Sequence, residues 1–187
     1  QCSSIYFHTM KNIYSALPWF LLYSRLASGI LFAVLAFFEI ESKPIENMVF
    51  FLFCFGFIGD IFDGIIARQL RMDTTKMRRL DSLFDSFFWL ATTFLLYQYN
   101  PEMRDFIVYG LGSIIIFLFI EYIFCLIRFQ KLPSAHNFLS KYFGLFLFIL
   151  YVLIFSGLSP LFFGIIVVTF GFIARFDSLL IYIILKK

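Results

Sequence analysis

Long apolar runs fill most of this chain, and short polar breaks separate them. A helix needs roughly 20 apolar residues to cross about 30 Å of hydrocarbon, and six runs reach or approach that length. The runs lack the strict alternation of a membrane barrel, so helices are the structure that satisfies their backbone in lipid. The sequence therefore predicts an all-α membrane protein with six transmembrane helices, at about 17–38, 46–68, 79–99, 106–128, 138–157 and 160–185.

The composition agrees with this prediction. The 187 residues are 61% hydrophobic and 22% aromatic, which is more apolar surface than a soluble domain of this size buries. We expect a single domain over residues 1–187, in which about 16 N-terminal residues form an interfacial helix. The three cysteines fit neither a disulfide framework nor a metal-ligand spacing. We expect no cleavable signal peptide, because no small-residue cleavage site follows an apolar core.

Basic residues are distributed unevenly over the breaks. If the N-terminus is cytoplasmic, the outer side receives two, Lys43 and Arg104, and the inner side receives eleven. This bias is typical of the positive-inside rule, so both termini are expected to face the cytoplasm. The inner residues are Lys11, Arg68, Arg71, Lys76, Arg78, Arg79, Arg128, Lys131, Lys141, Lys186 and Lys187.

Eight further charged residues fall within the predicted helices, where each costs roughly 2.5–3.5 kcal/mol at a helix centre on insertion scales. Arg25 and Asp60 each lie about eight residues from the inner end of their helix, which is a depth of about 12 Å. The outer halves of the helices carry no charge. The pattern predicts a polar cavity that opens to the cytoplasm and is closed toward the outside. The eight residues are Arg25, Asp60, Asp63, Asp81, Asp85, Glu121, Arg175 and Asp177.

Four of these residues are aspartates in two pairs. Asp60 and Asp63 are three residues apart, and Asp81 and Asp85 are four apart, so each pair shares one helix face. Four carboxylates that converge in a low dielectric would become protonated unless cations neutralise them. Oxygen ligands without histidine or cysteine favour Mg²⁺ or Mn²⁺, and magnesium usually partners a phosphate group. The alternative is that the aspartates are helix caps or ion-pair partners of Arg68, Arg78 and Arg79.

The segment from Asp60 to Asp85 resembles the signature of the CDP-alcohol phosphatidyltransferases, D-x2-D-G-x2-A-R-x8-G-x3-D-x3-D. Seven of the eight fixed positions agree, and every interval is the same. The departure is Met77, which stands where the family has a glycine close to the nucleotide.

Weaker likenesses to the same family lie outside this segment. Pro18 and Arg25 keep the interval of the family's P-N-x-x-T-x-x-R pattern, although Trp19 and Leu22 replace its polar residues. Asp177 resembles an acidic residue in the sixth helix.

The resemblance implies transfer of a phosphatidyl group from CDP-diacylglycerol, or a related CDP-lipid, to an alcohol acceptor with release of CMP. It implies a two-metal site of Mg²⁺ or Mn²⁺ whose ligands are Asp60, Asp63, Asp81 and Asp85, with Asp85 also as general base. The residues that match the CDP-lipid pocket are Gly64, Ala67 and Arg68, with Arg68 near the phosphates.

The acceptor is less defined, and two sets of residues have two interpretations each. Arg25 and Arg175 either bind phosphate or pair with Glu121 and Asp177. Ser82 and Ser86 replace the proline and lysine typical of members that make phosphatidylglycerol phosphate, which argues against that product. The residues that either bind a phosphorylated acceptor or interact with lipid headgroups are Lys131, Ser134, His136 and Lys141.

Other classes of function remain open from the sequence. One is an inactive or atypical family member, for which Met77 is the hint. Another is a small membrane transporter that uses its intramembrane acidic residues. Aromatic prenyltransferases also use Mg²⁺ and a pyrophosphate, but they are longer and their aspartate motifs are far apart in sequence. We expect no nucleic-acid partner, and the abundance of phenylalanine is compatible with a homodimer.

Overall fold

The computed structural model describes residues 2–38, 42–69, 74–130 and 138–184, without the side chains of 2–16, 63, 64, 66–69, 75, 76, 78 and 138. Within these ranges all regular secondary structure is helical and there is no strand. A 3-10 turn at Pro101–Met103 and a π-helical segment at Ile107–Leu111 flank α4, so the chain is helical from Pro101 to Phe129. The α-helices are α1 Cys2–Phe37, α2 Lys43–Gln69, α3 Thr75–Tyr99, α4 Arg104–Phe106, α5 Gly112–Phe129, α6 Phe138–Phe155 and α7 Leu161–Ile184.

The predicted all-α class is confirmed for the described residues, and membrane spans are found in part. In the described ranges, four stretches are long and apolar enough to cross a membrane: Leu17–Phe37, Lys43–Phe62, Pro101–Phe129 and Leu161–Ile184. The apolar stretch of α6, Leu139–Phe155, is about 26 Å long at 1.5 Å per residue, somewhat less than the hydrocarbon thickness. Six crossings and cytoplasmic termini stay predictions.

The first helix is longer than predicted. It is continuous from Cys2 to Phe37 and has Pro18 in its interior, where the missing N–H removes one helical hydrogen bond. The segment expected as an interfacial helix is thus joined to the first apolar run. Its position at a membrane interface stays a prediction.

The chain divides into two compact units, Gln1–Thr92 and Thr93–Lys187, with the boundary inside α3. In the first unit, Phe88 of α3 packs on α1 and α2: its ring centroid is 5.7 Å from that of Phe32 and 5.9 Å from that of Phe53. A Cβ on Gly56 would lie 2.8 Å from the Phe88 ring. Glycine at this position therefore allows the Phe88 ring to lie directly on the backbone of α2. The prediction of a single domain stays a prediction.

In the second unit, small residues form most of the buried face of α7. A Cβ on Gly164 would lie 2.5 Å from the ring of Phe106, and one on Gly171 would lie 2.6 Å from Phe143 and 2.7 Å from Ile114. The two glycines allow close packing of α7 against the neighbouring helices. The buried residues of α7 are Gly164, Val167, Gly171, Ala174, Ser178 and Tyr182.

Polar contacts also stabilise the second unit. The hydroxyls of Thr93 and Tyr151, both buried, share a hydrogen bond of 2.5 Å that joins α3 to α6. Arg104 donates to the carbonyl oxygens of Tyr97 and Gln98. Since the last carbonyls of a helix have no partner within it, Arg104 caps the C-terminal end of α3.

Two glycine-to-alanine substitutions test the packing of α7. Gly171→Ala is expected to lower the free energy of unfolding, because overpacking costs about 1–3 kcal/mol and exceeds the roughly 0.5–1 kcal/mol that alanine gains in a helix. Gly144→Ala in α6 is the matched control, since a Cβ there meets nothing within 4 Å, and it is expected to be neutral or stabilising. Unfolding in detergent measures both, and equal stability of the two variants would contradict this account.

Candidate functional site

The site begins with a buried arginine on α1. Arg25 is 2% exposed and lies on the same helix face as the buried residues Leu22, Ser28 and Phe32, which recur at intervals of three or four. An arginine on such a face keeps its positive charge, because a guanidinium is not deprotonated in proteins. The fold therefore has to supply negative partners close to it.

Three carboxylates supply them. Nη1 of Arg25 lies 3.0 Å from Oδ1 of Asp60 and donates a hydrogen bond of 3.2 Å to Oδ1 of Asp81. The same nitrogen donates to Oδ1 of Asp85. The side chains of these aspartates are 21% to 41% exposed, so the cluster is closed by Arg25 on its inner side and accessible on its carboxylate side.

Each of these carboxylates lies on a helix face that also carries buried residues. In α2, Asp60 follows the buried residues Phe53 and Gly56 by seven and four positions. In α3, Asp81 and Asp85 precede the buried Phe88 by seven and three positions. These intervals are about one or two helical turns. Each carboxylate therefore lies on the same helix face as these buried residues, and packing of that face sets its position.

The start of α3 is fixed by a cap. Thr74 immediately precedes the helix, and its Oγ1 accepts a hydrogen bond of 3.2 Å from the backbone N–H of Met77. A threonine that accepts from the third helical residue satisfies one of the N–H groups that a helix start leaves without a partner. Met77 is 7% exposed, so methionine in place of the family's glycine is buried in the first turn of the helix.

Aromatic rings lie beside the cluster. A cleft with a water-accessible volume of about 10 Å³ is lined by Arg25, Asp60 and Asp85 on its polar side. A single water needs roughly 10–15 Å³ on this measure, so the cleft has room for a water or a small ion. The other lining residues are Gly56, Phe57, Phe88 and Trp89.

The donor set fits a hard divalent cation. One carboxylate oxygen from each of Asp60, Asp81 and Asp85 lies within 4.8 Å of the other two. An octahedral ion with ligand distances of about 2.1 Å holds oxygens up to about 4.2 Å apart, so small side-chain movements would bring these three onto one ion. Ligands that are all oxygen favour Mg²⁺ or Mn²⁺.

The structure thus brings together Arg25, Asp60, Asp81 and Asp85 of the predicted site residues. Several others lie outside the described part. The side chains of Asp63, Gly64, Ala67 and Arg68 are not described, although their backbone is part of α2. Lys131, Ser134 and His136 fall in the undescribed range 131–137. Lys141 is exposed in α6.

Two of the remaining charged residues of the predicted helices, Glu121 and Arg175, form a pair in the second unit. Nη1 of Arg175 lies 3.4 Å from Oε2 of Glu121, which is 3% exposed. The guanidinium of Arg175 also lies over the ring of Phe143, at 5.8 Å from the centroid. Of the two interpretations of Arg175, its pairing with Glu121 is therefore observed.

The sequence analysis did not predict the contact of Arg25 with the aspartates. It predicted phosphate, Glu121 or Asp177 as the partners of Arg25. A signal for it was present, because Arg25 and Asp60 have the same calculated depth of about 12 Å. Opposite charges at one depth in neighbouring helices of a low-dielectric medium are expected to pair.

The helices and the carboxylate cluster define a helical membrane protein with a candidate metal centre. The family model for the CDP-alcohol phosphatidyltransferases matches residues 15–180, which is most of the chain. The protein belongs to the CDP-alcohol phosphatidyltransferase family and, with four stretches in its described part that are long and apolar enough to cross a membrane, is an integral membrane protein. No match was found among curated proteins or among solved structures.

Thr74 offers a test of how α3 is positioned. Thr74→Ala is expected to cost about 0.5–2 kcal/mol, the usual effect of losing an N-cap side chain, and to speed hydrogen exchange of the first-turn amides of α3. Thr74→Ser keeps the hydroxyl and should exchange as the wild type does. Hydrogen exchange read by mass spectrometry distinguishes the two, and unchanged exchange in Thr74→Ala would show that the cap does not hold the helix start.

Proposed function

We propose that this protein is an active transferase that moves a phosphatidyl group from CDP-diacylglycerol, or a related CDP-lipid, to a small alcohol and releases CMP. The observation that supports it most directly is the convergence of Asp60, Asp81 and Asp85 from two helices within 4.8 Å. These are three of the four aspartates in the family's signature, in a chain that belongs to the family.

Each group of residues has a proposed role. The metal ligands are Asp60, Asp63, Asp81 and Asp85, for two ions of Mg²⁺ or Mn²⁺. When bound, the ions would neutralise charge on the pyrophosphate of the donor and on the departing CMP. The CDP-lipid is held by Gly64, Ala67 and Arg68, with Arg25 as a further phosphate-binding residue.

The chemical step needs a base for the acceptor hydroxyl, and Asp85 has that role in this proposal. Its side chain is 21% exposed, so an acceptor on the open side of the cluster can reach it. The acceptor oxygen forms a bond to the phosphorus of the phosphatidyl group as its proton passes to Asp85. The bond from that phosphorus to the bridging oxygen breaks, and CMP leaves with the electron pair.

The setting supports the same proposal. A lipid donor and a water-soluble alcohol can meet only near the membrane surface, and the cluster is accessible from its carboxylate side. The excess of basic residues at one set of helix ends favours a site that faces the cytoplasm. Lys131, Ser134, His136 and Lys141 stay sequence candidates for binding a phosphorylated acceptor, with interaction with lipid headgroups as the alternative.

The substitution Asp85→Asn tests the proposal. It keeps the size of the side chain and removes the base, so the rate of CMP release from CDP-diacylglycerol is expected to fall at least about 100-fold, the lower range for general-base catalysis. Asp105→Asn is the control, because Asp105 is an exposed aspartate of α4 outside the cluster, and it should keep the wild-type rate. The assay uses purified protein, a panel of alcohols with and without a phosphate, and Mg²⁺ or Mn²⁺.

Two outcomes would contradict the proposal. CMP release that persists in Asp85→Asn would exclude Asp85 as the base. Failure of the wild type to release CMP with any acceptor of the panel would favour the alternative of an inactive or atypical family member. A transporter would likewise release no CMP, and family membership argues against that alternative.

A further inference from the structure

Arg25 occupies the position from which a metal ion would bind the aspartates. Its Nη1 lies among Oδ1 of Asp60, Oδ1 of Asp81 and Oδ1 of Asp85. Those three carboxylates also form the cluster that fits a divalent cation. Nη1 of Arg25 and a divalent cation would therefore bind the same three carboxylates.

The guanidinium cannot leave this arrangement by losing its charge, since arginine stays protonated in proteins. It is also 2% exposed, so it does not exchange its partners for water at the surface. If a cation takes the carboxylate oxygens, Nη1 has to withdraw from some of them by rotation of the side chain. Its positive charge then stays close to the cation and repels it.

The net charge of the cluster determines how strongly it attracts a cation, and Arg25 changes that net charge. Three carboxylates and one guanidinium carry a formal net charge of −3 + 1 = −2. That sum attracts a divalent cation, whereas three carboxylates without Arg25 would carry −3 and attract it more strongly. Arg25 thus stabilises the metal-free cluster and weakens its affinity for metal.

We infer that Arg25 is a built-in competitor of the catalytic cation: it holds Asp60, Asp81 and Asp85 together when no metal is bound, and it gives up contacts with them when metal binds. The inference rests on the proposed metal site and not on the identity of the alcohol. Arg25 in this role is a positioning residue, because it acts on the carboxylates. It also keeps three mutually repelling carboxylates in place.

Direct binding of Mn²⁺ tests the inference without any lipid substrate. Purified protein in detergent is titrated with MnCl₂, and free Mn²⁺ is read from its electron paramagnetic resonance signal. Arg25→Met, which keeps much of the apolar stem and removes the charge, is expected to bind Mn²⁺ at least about tenfold more tightly than the wild type. Arg79→Met is the matched control, because it removes the same charge two residues before Asp81, and its affinity should change less than about threefold.

Thermal unfolding gives a second readout. Without Arg25 the three carboxylates repel one another in metal-free protein, so Arg25→Met should unfold at a lower temperature than the wild type in EDTA. Saturating Mn²⁺ should remove most of that difference, because the cation replaces the lost charge. If Arg25→Met does not fold without metal, Arg25→Gln takes its place. Glutamine removes the charge but keeps amide N–H donors for the carboxylates, so tighter Mn²⁺ binding than in the wild type is again expected.

The outcomes separate this inference from the proposed reaction. Equal or weaker Mn²⁺ binding by Arg25→Met, with Arg79→Met close to the wild type, would overturn the competition. An increase of the same size in both variants would overturn it too, since charge alone would then explain it. Tighter binding by Arg25→Met in a protein that releases no CMP would keep this inference and overturn the proposed transfer.

Discussion

The ion cluster of Arg25 with Asp60, Asp81 and Asp85 is the interaction on which the first unit depends. It joins α1, α2 and α3 at one point, and the charges of the arginine and the aspartates compensate one another. A buried arginine without carboxylates, or three close carboxylates without a cation, would each leave uncompensated charge in a low dielectric. The arginine is almost fully covered, whereas the carboxylates are partly exposed. The cluster is therefore closed on one side and open on the other, as a site for a charged ligand requires.

Apolar packing determines where those charges meet. Phe88 lies one turn after Asp85 and contacts Phe32 of α1 and Phe53 of α2, so the helices that carry the charges are also held by one ring. The second unit combines a charged pair and close packing in a similar way. There Glu121 and Arg175 form the pair, and the glycines of α7 admit the neighbouring side chains. In both units, a buried charge is matched by its own partner within the unit.

Sequence patterns predicted the positions of most helices, because apolar runs end at charged or proline-containing breaks. The run predicted at about 46–68 corresponds to Lys43–Gln69. The start of α3 was missed by about four residues, since the cap by Thr74 adds a charged first turn that hydropathy does not mark. The π-helical segment Ile107–Leu111 has no signature in apolar periodicity.

Spacing predicted which aspartates share a helix face, and the grouping of three of them is observed. Spacing did not predict the partner of Arg25. It shows which residues share a helix face, but it does not show which helix faces contact one another.

The packing around Phe88 also bears on how the protein responds to its membrane. The distances between the charged side chains depend on ring contacts of 5.7 Å and 5.9 Å inside the protein, and lipid takes no part in them. A bilayer that is thinner or thicker than the helices is accommodated by tilt or by local deformation of the lipid, at a fraction of a kcal/mol per Å. That is less than the cost of repacking a buried ring. The first unit should therefore tilt as one body, and its carboxylates should keep the same geometry in membranes of different thickness.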